Sequence, residues 1–187
     1  MMKRIIDLII AVLLLICLSL PLIILTVIIK LTSSGPALYW SDRVGKNSKI
    51  FKMCKFRTMR ADTPTVATHL FKDADKYLTL VGSFLRKFSL DEMPQLFSVI
   101  KGDMSFVGPR PALFNQYDLI ELRTKKNIHK LIPGITGWAQ INGRDELLIP
   151  AKVEFDDYYL KNRSIFFDIK ILFMTFVKVV KSENITH

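Results

Sequence analysis

From Ile5 to Ile29 the chain reads "IIDLIIAVLLLICLSLPLIILTVII", with Asp7 its single charge. No water-exposed helix hides that much apolar surface, and at ~1.5 Å of rise per residue the run is long enough to reach across a bilayer. The segment must meet lipid. A secretory signal explains it poorly: Lys3 and Arg4 precede the run, but it exceeds an h-region and no small-residue cleavage site follows. Pro21 lies near the middle, where it removes a backbone N–H and drives its ring into the preceding turn, so a kink is expected. Ser19 is placed to satisfy backbone groups that such a bend frees. Positive charge brackets the run, with Lys3 and Arg4 before it and Lys30, Arg43 and Lys46 after it. The positive-inside rule then gives a crossing no direction, and suits a bent helix that enters and leaves by the cytoplasmic face. On residues alone, spanning and re-entrant helices are equally supported.

Beyond the turn-rich "TSSGP", Thr32 to Pro36, the composition changes. A chain of 187 residues has room for one ordinary domain with its attachments. Its 27 Lys and Arg outnumber 17 Asp and Glu, a net charge of +10 that implies an anionic partner: nucleic acid, a phosphate-bearing substrate or an acidic membrane surface. Cys17 and Cys54 have no CxxC or Cys/His spacing, which argues against a disulfide framework or structural zinc and for a reducing compartment. Alternation of apolar and basic residues predicts strands over Ala37 to Val44 and Ile50 to Phe56, with "GKN" as the hairpin turn. In "KFRTM", Lys55 and Arg57 stand two apart, on one face of an extended segment. That geometry suits a phosphate, but on residues alone an ordinary solvated strand face is the favoured explanation, since charge runs are usually that. "ADTPTVATHLF" reads as a loop.

The stretch "SLDEMPQL", Ser89 to Leu96, sets Asp91 and Glu92 side by side in a basic chain. Leu90, Met93, Leu96, Phe97 and Ile100 recur at helical spacing, predicting a helix that ends near Gly102. Ser89 with Glu92 fits a capping box. That register puts Pro94 well inside the helix, at a cost of ~3 kcal/mol. A start between Asp91 and Pro94 avoids most of that cost and leaves the carboxylates at a helix N-terminus, where the dipole favours ionised acids and an incoming phosphate. A nucleophilic carboxylate must be ionised, and a phosphoanion approaching it needs cations; Arg86, Lys87, Arg57 and Arg110 are the candidates. Adjacent carboxylates also suit Mg²⁺, which prefers oxygen and accompanies substrate phosphates.

"GDMSFVGPRP" holds Arg110 between two prolines, and rigid placement serves bidentate phosphate recognition. "LIPGITGWAQINGRDE" gathers glycines and Arg144 around Trp138, which reads as an interface anchor, a base-stacking surface or a packed corner. A C-terminal helix over Ile165 to Val180, with Lys170, Lys178 and Lys181 at intervals, suits either an anionic lipid surface or an ordinary core.

Together, "KFRTM", "LRKFSLDEMPQLFSVIKGDMSFVGPRP", "PGITGWAQINGR", "FDIKI" and the N-terminal apolar run resemble the bacterial sugar transferases known as monotopic phosphoglycosyl transferases, over nearly the whole chain. The resemblance implies transfer of a sugar phosphate from a UDP-sugar to undecaprenyl phosphate at the cytoplasmic face of the inner membrane, with release of UMP. It makes Asp91 the nucleophile that forms a covalent phosphosugar intermediate. Glu92 would help hold Mg²⁺ or act as base toward the acceptor. Lys55, Arg86 and Arg110 would hold phosphate oxygens, with Arg144, Arg57 and Asp156 lining the same site. The family anchor is a re-entrant helix broken at a Ser-Pro pair, which favours re-entry; here Ser19-Leu20-Pro21 carries one residue between the two, which displaces the bend. "ADTPTVATHL", "GPRPALFNQ" and the ending near His187 resemble a subgroup of capsule and O-antigen synthesis that handles N-acetylated 6-deoxyhexosamine phosphates such as N-acetylfucosamine.

Two rivals make different predictions. A basic membrane-attached scaffold or nucleic-acid module would bind with steep salt dependence and no need of Asp91. An aspartyl-phosphate phosphatase would need a DxDx[TV]-like start, which the sequence does not contain. The reading is therefore a helix-rich α/β enzyme: residues 1–34 a broken re-entrant anchor, residues 35–187 a small compact catalytic domain with a short strand pair and interfacial amphipathic helices. Its expected partners are the UDP-sugar, undecaprenyl phosphate and inner-membrane lipid, with no nucleic acid.

Overall fold

The computed structural model describes residues 2–60, 62–63, 74–143 and 147–181. Most of the predicted loop "ADTPTVATHLF" lies outside them. The apolar run forms two helices, α1 (Met2–Cys17) and α2 (Ser19–Thr32), which meet at an angle of 61°. No single helix among the described residues is long and apolar enough to cross a membrane. The break falls at Leu18, whose φ of −94° and ψ of 3° leave the helical region. Pro21 explains the position: it has no N–H for the carbonyl of Cys17 four residues back, and its ring crowds that carbonyl. Ser19 Oγ donates to the carbonyl of Ile16 at 2.8 Å, so it serves a group just before the bend.

The two helices bury very different amounts. α1 turns Ala11 and Asp7 inward, and Ser105 Oγ donates to Asp7 Oδ2 at 2.8 Å. Lys3 reaches the Val107 carbonyl, the Tyr159 hydroxyl and the Asp168 carboxylate. Arg4 donates to the carbonyls of Val99 and Ile100 in the last turn of α4 (Leu96–Lys101), where the Val99 carbonyl also accepts the Gly102 N–H at 3.1 Å. The first turn of α1 is thus bound into the domain, and the two cations read above as topology signals are engaged within the fold. α2 buries only Ile29, against Ala37, Phe56 and Leu85.

The hairpin forms where predicted, although burial along its strands does not strictly alternate: Met53 and Cys54 are both buried. β1 (Leu38–Val44) pairs antiparallel with β2 (Ile50–Phe56), from Leu38 opposite Phe56 to Val44 opposite Ile50. The connection turns through Asn47 and Ser48, at φ of 55° and 60°. The expected single strand pair is incomplete: three more short strands occur among the described residues. β3 (Ser105–Val107) and β5 (Gly134–Thr136) pair in parallel, and β4 (Ala112–Leu113) extends the hairpin alongside β1. Runs of two or three residues are too short to show alternation. Close packing needs glycine here, since a Cβ on Gly134 would lie 2.1 Å from the Gly108 nitrogen.

The remaining helices are α3 (Gly82–Lys87), α5 (Tyr117–Lys125), α6 (Trp138–Ile141), α7 (Ile149–Asn162) and α8 (Ile165–Lys181). One core joins α1, through Ala11, to α4, α5, α7 and both sheets. Trp138 is a packed corner: it stacks on Tyr158 at 5.8 Å and tilts against Phe167 at 5.0 Å, with Lys170 over its ring. α8 buries Ile171 completely yet exposes Phe166, Ile169, Phe173 and Phe176, so it is not an ordinary core helix. With the outer faces of α1 and α2, that leaves a large apolar surface of the kind that marks an interaction or membrane site.

Candidate active site

Asp91 and Glu92 lie in a 3₁₀ turn, Leu90–Gln95, that precedes α4. This corrects the expected helix start. Pro94 is accommodated in the tighter turn, and the α-helix begins only at Leu96 and runs six residues, closed by Gly102 at φ 95°. A helix so short, starting beyond the carboxylates, gives them no dipole to rest on. Ser89 takes a left-handed conformation, with φ of 54°, and makes no side-chain cap bond, so the capping box does not form.

Cations hold the site instead. Asp91 is 6% exposed, and the charges that act on it are Glu92, Lys55 on β2, Arg86 on α3 and Arg110 in the loop after β3. Arg86 Nε donates to Thr58 Oγ1 at 3.0 Å, which fixes its guanidinium. Arg110 Nη1 donates to Glu92 Oε1 at 3.1 Å. Burial pushes the Asp91 carboxyl up to about 6 and Glu92 adds to the rise, against the pull of Lys55, Arg86 and Arg110. The carboxylate still predominates at neutral pH. Burial likewise pushes Lys55 down to about 8, against the attraction of Asp91. A buried acid and a half-buried base thus act on each other with both values drawn toward neutrality, an arrangement that clusters at functional sites.

The other predicted residues fall elsewhere. Arg57 lies beside Gly35, where an added Cβ would come 2.9 Å from its Nη1, and its Nε is buried with no hydrogen-bond partner among the described residues. Lys87 sits over the Phe88 ring rather than among the cations acting on Asp91. Asp156 does not line the site: it is 1% exposed and accepts from Arg123 Nε at 3.0 Å and Nη2 at 2.6 Å. Arg123 in turn donates Nη1 to the carbonyl of Arg110 at 2.8 Å, so Asp156 acts on the site from behind. Arg144 lies outside the described residues. Arg123 went unnoticed in the sequence, although it stands four residues after Leu119 and shares the buried face of α5. A lone arginine on an apolar helix face was the available signal.

No group of three metal-ligating side chains occurs among the described residues. Two adjacent carboxylates nevertheless fit Mg²⁺, which keeps several waters and shares its coordination with substrate phosphates. Beside Glu92 and Arg110 a cleft of about 230 Å³ extends to Leu14 and Leu18 at the helix bend, passing Gln140 and Lys178.

Comparison with known proteins matches residues 1–182 to the model of the family described as "Bacterial sugar transferase". The uncharacterized sugar transferase EpsL of Bacillus subtilis is 42% identical over 98% of this chain and 90% of its own length. The UDP-glucose:undecaprenyl-phosphate glucose-1-phosphate transferase of Escherichia coli is 43% identical over 95% of this chain. The undecaprenyl-phosphate galactose phosphotransferase of Salmonella typhimurium is 36% identical over 98%. The matched regions make up 40% and 41% of the lengths of these last two proteins.

Proposed function

The chain belongs to the bacterial sugar transferases, and on that premise we propose that it transfers a sugar 1-phosphate from a UDP-sugar to undecaprenyl phosphate, releasing UMP. The observation that carries this reading is the buried Asp91 among Lys55, Arg86 and Arg110. An Oδ of Asp91 attacks the sugar-bearing phosphorus, the bond from that phosphorus to the bridging oxygen breaks, and UMP leaves. A phosphate oxygen of the polyprenol then attacks the same phosphorus and frees Asp91, giving the lipid diphosphate sugar. Lys55, Arg86 and Arg110 offset the repulsion between carboxylate and phosphoanion, and do so more strongly in a buried site. Glu92, tied to Arg110, stands next to the nucleophile as base toward the acceptor or as a second oxygen ligand. Asp91 and Glu92 would hold Mg²⁺, which when bound supplies charge neutralisation for the diphosphate.

Both substrates explain the architecture. A soluble nucleotide and a lipid phosphate meet only at an interface, so the bent helix pair and the exposed aromatic face of α8 seat the site at the cytoplasmic face of the bacterial inner membrane. The donor class is a UDP-N-acetylhexosamine, 6-deoxy forms included, and the step opens capsule, O-antigen or glycoprotein glycan assembly; the resemblance of "GPRPALFNQ" supports that choice. The test is UMP release from individual UDP-sugars with undecaprenyl phosphate and Mg²⁺. The protein should release UMP with at least one donor and Asp91→Asn with none. Equal rates for the two would remove Asp91 as nucleophile.

A further inference from the structure

The cleft beside Glu92 and Arg110 has a chemistry of its own. Leu14 and Leu18 from the bend, Ile135 from β5 and Val179 from α8 make its walls mostly apolar. Thr136 and Thr175 also reach it, but their hydroxyls bond to each other at 2.8 Å, and Thr175 bonds onward to the Ile171 carbonyl. Two polar groups are left without such an account. Gln140 is 7% exposed, and neither its amide nitrogen nor its amide oxygen has a hydrogen-bond partner among the described residues. A buried carboxamide in that state calls for a ligand or a water. Lys178 lines the same cleft and forms no ion pair or hydrogen bond with any described residue.

We propose that this cleft is the acceptor subsite, taking the phosphate and first isoprene units of the polyprenyl phosphate, with Lys178 and the Gln140 amide N–H on the phosphate. The inference rests on the transferase reading above. An amphiphile with one anionic head and a branched apolar tail matches the cleft at both ends. Its tail meets leucine, isoleucine and valine, and its head meets an ammonium and an amide donor within reach of the Arg110 end. A sugar nucleotide fits poorly, because its hydroxyls would lose water against walls that offer few partners. Continuity supports the lipid as well: the bend that supplies Leu14 and Leu18 also carries the exposed Leu13, Ile16 and Leu20, so a tail leaving the cleft stays on apolar surface.

Steady-state kinetics separate the two substrates, since kcat/KM for each reports its own capture. The full-length protein is assayed in detergent with a UDP-sugar that it turns over and with undecaprenyl phosphate. Gln140→Leu and Lys178→Met should each lower kcat/KM for the acceptor at least tenfold, leave kcat/KM for the donor within twofold, and Lys178→Arg should restore most of the loss. Retained donor capture also shows that the variants fold. An unchanged acceptor kcat/KM overturns the proposal, and a loss confined to the donor reassigns the cleft to the nucleotide. Failure of the transferase reading looks different: the unaltered protein then releases no UMP from any donor.

Discussion

Arg123 donates one guanidinium N–H to the carbonyl of Arg110, 2.8 Å away, while its other side closes on Asp156. Arg110 itself grips Glu92, beside Asp91. A buried ion pair on α5 and α7 is thereby linked through one backbone carbonyl to the acidic pair. Asp156 and Arg123 are positioning residues, and their variants should separate stability from activity.

Arg123→Met takes from the buried Asp156 carboxylate its hydrogen-bonded cation and leaves only the more distant pull of Lys152, a change that costs up to about 3–5 kcal/mol. Replacing both, as Arg123→Met with Asp156→Leu, should restore most of that stability, because the uncompensated charge is gone. Activity should not return with it: Arg110 loses the donor on its carbonyl, and misplacement of a phosphate-binding group lowers kcat/KM roughly 10–100-fold. Thermal unfolding and donor kinetics on the three proteins check this. Recovery of both quantities together would make the Arg123 to Arg110 bond irrelevant to the site.

Donor kcat/KM should be bell-shaped in pH. Asp91 attacks only when ionised, and its carboxyl stands at about 6, so activity falls on the acid side near that value. Lys55 holds phosphate only when protonated, and burial has lowered it to about 8, which sets the alkaline limb. The two groups interact, so the limbs belong to the pair. Lys55→Arg, which stays charged throughout, should move the alkaline limb beyond the measured range and leave the acid limb in place. An unmoved alkaline limb assigns it to another group.

The buried carboxylate also has a thermodynamic signature. In the folded protein Asp91 stands at about 6 against an ordinary value of 3.8, so the fold binds its proton more tightly than the unfolded chain does. This contribution to stability is present below pH ~4 and is lost as the pH rises through about 6, a difference on the order of 2–3 kcal/mol. Asp91→Asn removes the ionisation, and Lys55 gives back part of the gain because it loses an attractive partner. The variant should therefore exceed the parent by roughly 1–2 kcal/mol at pH 8, with the advantage vanishing toward pH 4. Denaturant titrations at both pH values measure it, and a gap that does not change with pH removes Asp91 as its source.

Much of this arrangement is legible before any coordinates, and the exceptions have causes. The loose alternation of apolar and basic residues places β1 and β2 to within a residue, and Gly102 ends α4 where the helical spacing runs out. The grouping of Lys55, Arg86 and Arg110 around Asp91 is implied by the family resemblance, since no local pattern brings together residues so far apart in the chain. Arg57 shows the limit of a period-two argument: β2 ends at Phe56, so the shared face ends there, and the side chain turns to Gly35. β3, β4 and β5 are too short for any periodicity to announce them. The 3₁₀ turn at Asp91 is a compromise between helical spacing and Pro94, and the sequence shows that conflict without showing its outcome.

The N-terminal contacts bear directly on topology. Arg4 caps α4, Lys3 reaches Asp168, and Asp7 takes a bond from Ser105, so the start of α1 is fastened to the domain that resumes after α2. If both ends of the bent pair belong to one water-facing body, neither can lie across a bilayer from the other, and only the elbow around Leu18 can dip into lipid. Cysteines introduced as Met2→Cys and Ser34→Cys, each with the exposed Cys17 changed to Ala, should react with an impermeant maleimide from the same side of sealed vesicles. Arg4→Leu with Asp7→Leu removes two of the fastenings and the charge within the apolar run. Those changes should let a fraction of the chains place Met2→Cys on the opposite side, because a longer apolar run with fewer flanking cations is free to span. Opposite-side labelling in the otherwise unaltered protein would mean that the helix pair crosses the membrane, and that the contacts of Lys3 and Arg4 do not survive there.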